Sequence, residues 1–263
     1  MPSNLFDWPR CEGGRFTKLI NRTPLTSFTG GFGNTFSEPS AIMSKTLIMS
    51  PHVILIDAEY LDRVAFDLTV NFETMLGRRL PKADLARWLD CIALDGGLRE
   101  GDNEVQAVFI HPREMKEFRY FTPGNFACQL DGKAFKDHIA EFTMASCPIE
   151  RVTTFNDFFK ESLEALLLDK DIESLMVVAD FDGTSDMSRR VTAHVKELCA
   201  TPPQPKNQDG SPMTDANGIR ILLPRKDITL FTMAPMSGRG FNQEILGYSL
   251  MSALGISAGE IQG

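Results

Sequence analysis

Ser174-Leu175-Met176-Val177-Val178-Ala179-Asp180-Phe181-Asp182-Gly183-Thr184-Ser185-Asp186 is the stretch whose reading decides the fold. Its apolar run, Leu175 to Ala179, is short and is closed by two acids and Gly183. Such runs are buried on both faces, as in the central strands of a parallel sheet. Ligands of open α/β sheets sit outside the carboxyl ends of the strands, where Asp180 and Asp182 fall. Two carboxylates so placed repel each other unless a cation or a reacting group neutralises them. The stretch therefore marks a site as well as a strand.

The same grammar occurs earlier, in Val53-Ile54-Leu55-Ile56-Asp57. Between the two runs, Val64, Leu68, Phe72, Met75 and Leu76 recur near helical spacing, which predicts a helix over 61–76 stopped by Gly77. Pro81 and Lys82 open a second helix, with Leu85, Trp88, Leu89 and Ile92 inward, before Gly96-Gly97. Val105 to Ile110 is a buried strand; Phe118 to Phe121 and Ile139 to Met144 read as edge strands or irregular segments around a Pro123-Gly124-Asn125 turn. A helix follows over 156–168, capped by Thr154 or Asn156, with Phe158, Phe159, Leu163, Leu166 and Leu167 inward. Beyond the opening stretch come a helix over 187–199, a Pro- and Gly-rich surface loop over 201–218, strands at Ile219 to Leu223 and Ile228 to Met233, and a closing helix from Phe241 to Leu254.

Strands alternating with helices of these lengths predict an α/β three-layer sandwich with a mostly parallel central sheet, formed by residues 43–263 as one domain. Right-handed crossovers would put Asp57, Asp180 and Asp182 on one edge of that sheet. If the two strands are neighbours, the three acids converge, and hard oxygen donors of this kind suit Mg²⁺ or Mn²⁺. The simpler alternative is that Asp57 and Asp182 only cap the helices that follow them.

Composition narrows the class. The 263 residues are 43% hydrophobic and 24% charged, an ordinary balance for a globular chain. No apolar stretch approaches the ~20 residues that span a bilayer, and no basic-then-apolar leader opens the chain, so a cytoplasmic protein without membrane contact is expected. Cys11, Cys91, Cys128, Cys147 and Cys199 are scattered, with no Cys-x-x-Cys pair, which argues for reduced thiols and against a zinc site. A formal net charge of −8 lacks the broad basic footprint of many nucleic-acid-binding proteins, while leaving room for a local basic rim. Residues 1–42 are rich in Gly, Ser, Thr, Pro and Asn with no sustained period, and read as a flexible N-terminal extension. Met43 offers an alternative start.

Two family resemblances rest on these motifs. Val177-Val178-Ala179-Asp180-Phe181-Asp182-Gly183-Thr184 resembles the haloacid-dehalogenase-like phosphatase signature, which implies Asp180 as nucleophile and Asp182 as general acid. The order of the whole chain is similar to the PIN-like nuclease fold, in particular its NYN branch: an early strand ending in Asp57, a helix start near Asp157, then the Asp180-Phe181-Asp182 strand end. That resemblance implies Asp57, Asp157, Asp180 and Asp182 as metal ligands, and Mg²⁺- or Mn²⁺-dependent cleavage of RNA. Ala58, Glu59 and Tyr60 stand where that branch ordinarily carries an Asn, and residues 96–150 have no counterpart. The chain also resembles uncharacterised bacterial proteins of unknown function.

Arg189 and Arg190, one helical turn past the acids, are candidates for holding a phosphate, against the plainer role of a solvated helix face. His111, ending a strand, is the histidine best placed for a sheet-edge site. No phosphate-binding Lys loop, Gly-x-Ser-x-Gly elbow or dinucleotide fingerprint is present. The functional expectation is a metal-dependent phosphodiesterase or ribonuclease. A partner-binding α/β protein without catalysis, joining another protein or a second copy of itself, is the alternative.

Overall fold

The computed structural model describes residues 49–149, 154–207 and 209–261. The 1–42 extension and the start at Met43 lie outside the described residues. Strand β1 (His52–Asp57) is buried along all but its first residue. It can be, because it has a neighbour on each side: β3 (Asn103–Pro112) and β7 (Ser174–Val178), both parallel to it. The expected adjacency of the two aspartate-ended strands is therefore real, with Ile56 opposite Val178.

The sheet extends outward from this pair. Beyond β3 lie β6 (Ala140–Ile149) and the antiparallel edge strand β5 (Ala134–Lys136); beyond β7 lie β8 (Asp227–Thr232) and β9 (Asn242–Ile245). The order is β5-β6-β3-β1-β7-β8-β9. Numbered along the chain, the six parallel strands stand 3-2-1-4-5-6 in space, so the winding reverses between β1 and β7. In such sheets the crevice at the reversal is where ligands bind.

Pleating sends alternate residues to opposite faces, and two cores result. Ile54, Ile56, Phe109, Met176, Val178 and Phe231 face helices α1 (Ala58–Leu76), α2 (Leu85–Asp95) and α5 (Leu246–Ala253). Val53, Leu55, Val108, Leu175, Val177 and Leu230 face α3 (Phe155–Leu168) and α4 (Asp186–Ala200). The three-layer α/β sandwich with a mostly parallel sheet is thus the observed architecture. A short helix, α6 (Ala258–Ile261), follows and is tied back by Arg78 on Glu260 at 2.6 Å.

Five element readings need correction. Helix α1 starts at Ala58, three residues before the apolar spacing begins, because Asp57 caps it by accepting from the Tyr60 amide. Helix α2 starts at Leu85 with Asp84 as its cap; β2 (Ala83–Asp84) instead pairs with β4 (Phe121–Thr122). Ile139 to Met144 belongs to a ten-residue strand inside the sheet, with β3 on one side and β5 on the other. Phe241 onward is not one helix, since Asn242–Ile245 adds β9 before α5 begins. Ile219 to Leu223 is not a strand; Ile219 and Leu222 are exposed, and only Arg220 bridges, to Thr214.

One half-buried pair outside the strands titrates. Asp90 of α2 meets Asp137 before β6, and Asp90 Oδ1 and Asp137 Oδ2 have no other donor. Burial first, then Asp137, pushes Asp90 up to about 8, while the hydrogen bond from Asp90 and the Ala140 and Ile139 amides hold Asp137 low. The folded pair keeps a proton that an unfolded Asp90 would lose near its ordinary 3.8. Its contribution to stability is therefore greatest in acid and is lost as pH rises towards about 8. Asp90→Asn, whose amide donates to Asp137 at every pH, should flatten this slope and leave the variant about 1 kcal/mol more stable at pH 9 in urea unfolding.

Candidate functional site: the acidic edge at the sheet reversal

Asp57 ends β1, and Asp180 lies two residues past the end of β7. The register that sets Ile56 against Val178 makes their loops neighbours at the reversal point. Asp57 is 7% exposed and gives one oxygen, Oδ1, to the Tyr60 amide at 3.1 Å. Burial, with Glu59 and Asp180 adding like charge, pushes its carboxyl up to about 7, against the lowering pull of the Tyr60 amide and Arg63. A carboxyl held near neutrality at a strand end is poised to change charge with what binds beside it.

Asp180 is organised differently. Its Oδ2 accepts from Arg63 Nη2 at 2.8 Å and from Ser188 Oγ at 2.9 Å. Ser188 belongs to the first turn of α4, where Ser185 caps the helix by accepting from the Ser188 amide. Asp182 reaches the next strand: its Oδ2 accepts from the Met233 amide at 2.6 Å, joining the loops after β7 and β8. Each aspartate keeps a second oxygen that accepts no hydrogen bond among the described residues.

The cap role foreseen for Asp57 is observed, whereas the cap of α4 is Ser185 and not Asp182. Asp157 lies in the first turn of α3, where its Oδ2 accepts from the Thr154 hydroxyl at 2.6 Å; among the described residues no hydrogen bond or ion pair links it to the elements that carry the other three aspartates. Arg189 donates to the Thr184 carbonyl at 2.8 Å and pairs with Asp186 at 3.4 Å. Arg190 points to a cleft between α3 and α4. His111 is fully engaged: Nδ1 lies 2.9 Å from the Pro112 carbonyl, Nε2 lies 2.8 Å from Ser146 Oγ, and the ring stacks on Phe126. Burial lowers its pKa, so it is neutral near pH 7.

Three contributors escaped the reading of the sequence. Arg63 supplies the positive charge at the edge, and its Cζ lies 5.5 Å from the Tyr60 ring centroid. Tyr60 is buried with its hydroxyl unpartnered, and burial, then Asp182 and Asp180, raise its phenol above the ordinary value. Ser188 is the third. A signal existed: Asp57, Tyr60 and Arg63 are spaced by three, so they share one face of a helix whose start lies at the sheet edge.

Gly183 lets these groups approach. A Cβ there would stand 2.6 Å from Asp180 Oδ2 and would overlap Ser188 Oγ. Gly183→Ala should break the Ser188–Asp180 bond and cost about 1–2 kcal/mol in urea unfolding, all of it steric, since the backbone at Gly183 is not left-handed.

Residues 46–261 match a family described as a family of unknown function, DUF6621. The chain belongs to DUF6621. The match spans β1 to α6 and so takes in the whole acidic edge of this DUF6621 protein. No curated protein and no solved structure matches the chain. No helix among the described residues is long and apolar enough to cross a membrane.

Proposed function

We propose that this DUF6621 protein is a metal-dependent phosphodiesterase acting on RNA, of the PIN-like NYN kind, with Asp57, Asp180 and Asp182 as its acidic edge. The observation that carries the reading is that a buried Asp57 and Asp180 stand at neighbouring strand ends at the reversal between β1 and β7, close enough for Asp180 to raise the Asp57 pKa. Among the described residues no group of three or more His, Cys, Asp or Glu side chains is arranged to hold a metal ion. A hard, water-rich cation held by two carboxylates, the manner in which Mg²⁺ usually binds, would need no closed protein cage. Bound Mg²⁺ or Mn²⁺ would supply a water of lowered pKa for attack at phosphorus. The free oxygens of Asp57 and Asp180 would hold the ion, and Asp182, fixed by the Met233 amide, would orient its water shell. Arg63, more than half exposed, would turn from Asp180 to a phosphate oxygen, the planar fork suiting either partner.

The test is cleavage of a single-stranded RNA with Mn²⁺, with and without EDTA. The reading expects metal-dependent cleavage, reduced about 100-fold or more in Asp180→Asn/Asp182→Asn. Cleavage that survives EDTA and the double substitution would sink it.

A second reading is favoured by the Arg63–Asp180 ion pair, which already neutralises one acid. In it, the edge is a partner-binding surface without catalysis, for another protein or a second copy of this chain. Arg63→Gln separates the two: it tightens Mn²⁺ binding if the guanidinium competes with the ion, and leaves a metal-independent protein indifferent to Mn²⁺ otherwise.

A further inference from the structure

Helices α3 and α4 follow strands of a parallel sheet and pack on the same face, so they run in the same direction. Between the start of α3 and the second and third turns of α4 lies a cleft of about 430 Å³. Phe159 and Val195 form its apolar floor; Asn156, Lys160, Arg190 and His194 form its walls. Volumes of this size take small organic molecules.

The cleft is electropositive although the chain carries a net charge of −8. Lys160 and Arg190 make no hydrogen bond or ion pair among the described residues. The start of α3 opens here and adds the positive end of its dipole. Asp157, the acid on the rim, is occupied by the Thr154 hydroxyl.

One polar atom on the cleft wall is also left unsatisfied: Asn156 Oδ1 is buried with no hydrogen-bond partner, and a ligand that draws this side chain to itself relieves that cost. His194 holds its Nε2 3.5 Å from Glu164 Oε1.

We propose that the α3–α4 cleft binds a small phosphate ester with a flat apolar body. Arg190 and Lys160 hold the phosphate, Phe159 and Val195 carry the body, and Asn156 bonds its polar edge. The site is independent of the acidic edge and of the reading given to it.

The test is calorimetric titration of the full chain with phenyl phosphate, beside phenol and inorganic phosphate alone. One saturable site is expected, tighter for phenyl phosphate than for either fragment. Lys160→Gln/Arg190→Gln, at solvated positions that spare the fold, should weaken it at least about tenfold. Asp180→Asn/Asp182→Asn should leave it unchanged. Absence of binding up to about 10 mM, equal binding by the lysine–arginine variant, or loss in the aspartate variant would each overturn the assignment.

Discussion

Asp57→Asn should make the protein more stable by about 2–4 kcal/mol at pH 8. In the folded chain the Asp57 carboxyl titrates at about 7 and in the unfolded chain near 3.8, so folding retains a proton between these values. The sign follows: wild-type stability falls as pH rises from about 4, and the full cost is present above about 7. Asn keeps an oxygen for the Tyr60 amide, so the cap of α1 survives while the buried charge, its desolvation and its repulsion from Glu59 and Asp180 vanish. Urea unfolding at pH 5 and pH 8 measures it: the wild-type curves should separate more than the variant curves, which keep only the smaller slope due to Asp90. A stabilising loss of this kind marks a group retained for something other than the fold. If Asp57→Asn is instead destabilising at pH 8, the carboxylate is a structural cap and no more.

Gly240→Ala should have a large effect on the fold itself. Gly240 has φ +91°, a conformation costly to any residue with a Cβ, and an added Cβ would stand 2.6 Å from the Cys199 carbonyl carbon and overlap its oxygen. The backbone there closes the end of α4 against the approach to β9, and neither partner is a flexible side chain. We expect a loss of about 3 kcal/mol or more, a fall in Tm of roughly 6–12 °C. Calorimetry or circular dichroism on heating reads it directly. A loss under about 1 kcal/mol would mean that the β9–α5 segment adjusts independently of the sheet.

The central fold was legible because β1 and β7 are buried on both faces, and burial leaves the same mark in sequence and in structure: Val53 to Ile56 and Leu175 to Val178. The helices on each face were legible by spacing, down to the cap at Thr154 and the left-handed stop at Gly77. The edges were not. Asn242-Gln243-Glu244-Ile245 has no apolar run, and it becomes a strand because β8 offers it a ladder of hydrogen bonds. Ile219 to Leu223 has the apolar composition of a strand but no such ladder, and stays outside the sheet.

The site divides along the same line. Asp57, Asp180 and Asp182 were readable because acids at the end of an apolar strand are conspicuous. Arg63 was not, because an arginine on an amphipathic helix looks the same whether it faces water or an aspartate 117 residues away. Asp157 and Arg190 were readable as polar groups near helix starts, but sequence could not say that they face the α3–α4 cleft and not the reversal point. Which face of a helix a charge occupies relative to a distant strand is settled by crossover geometry, and local spacing does not encode it.

The most direct measurement is a calorimetric titration of the full chain with Mn²⁺ at pH 8, beside Asp180→Asn/Asp182→Asn. The account predicts saturable binding by the wild type and none by the variant at the same concentrations. Absence of binding by the wild type at millimolar Mn²⁺, or equal binding by both proteins, would contradict it.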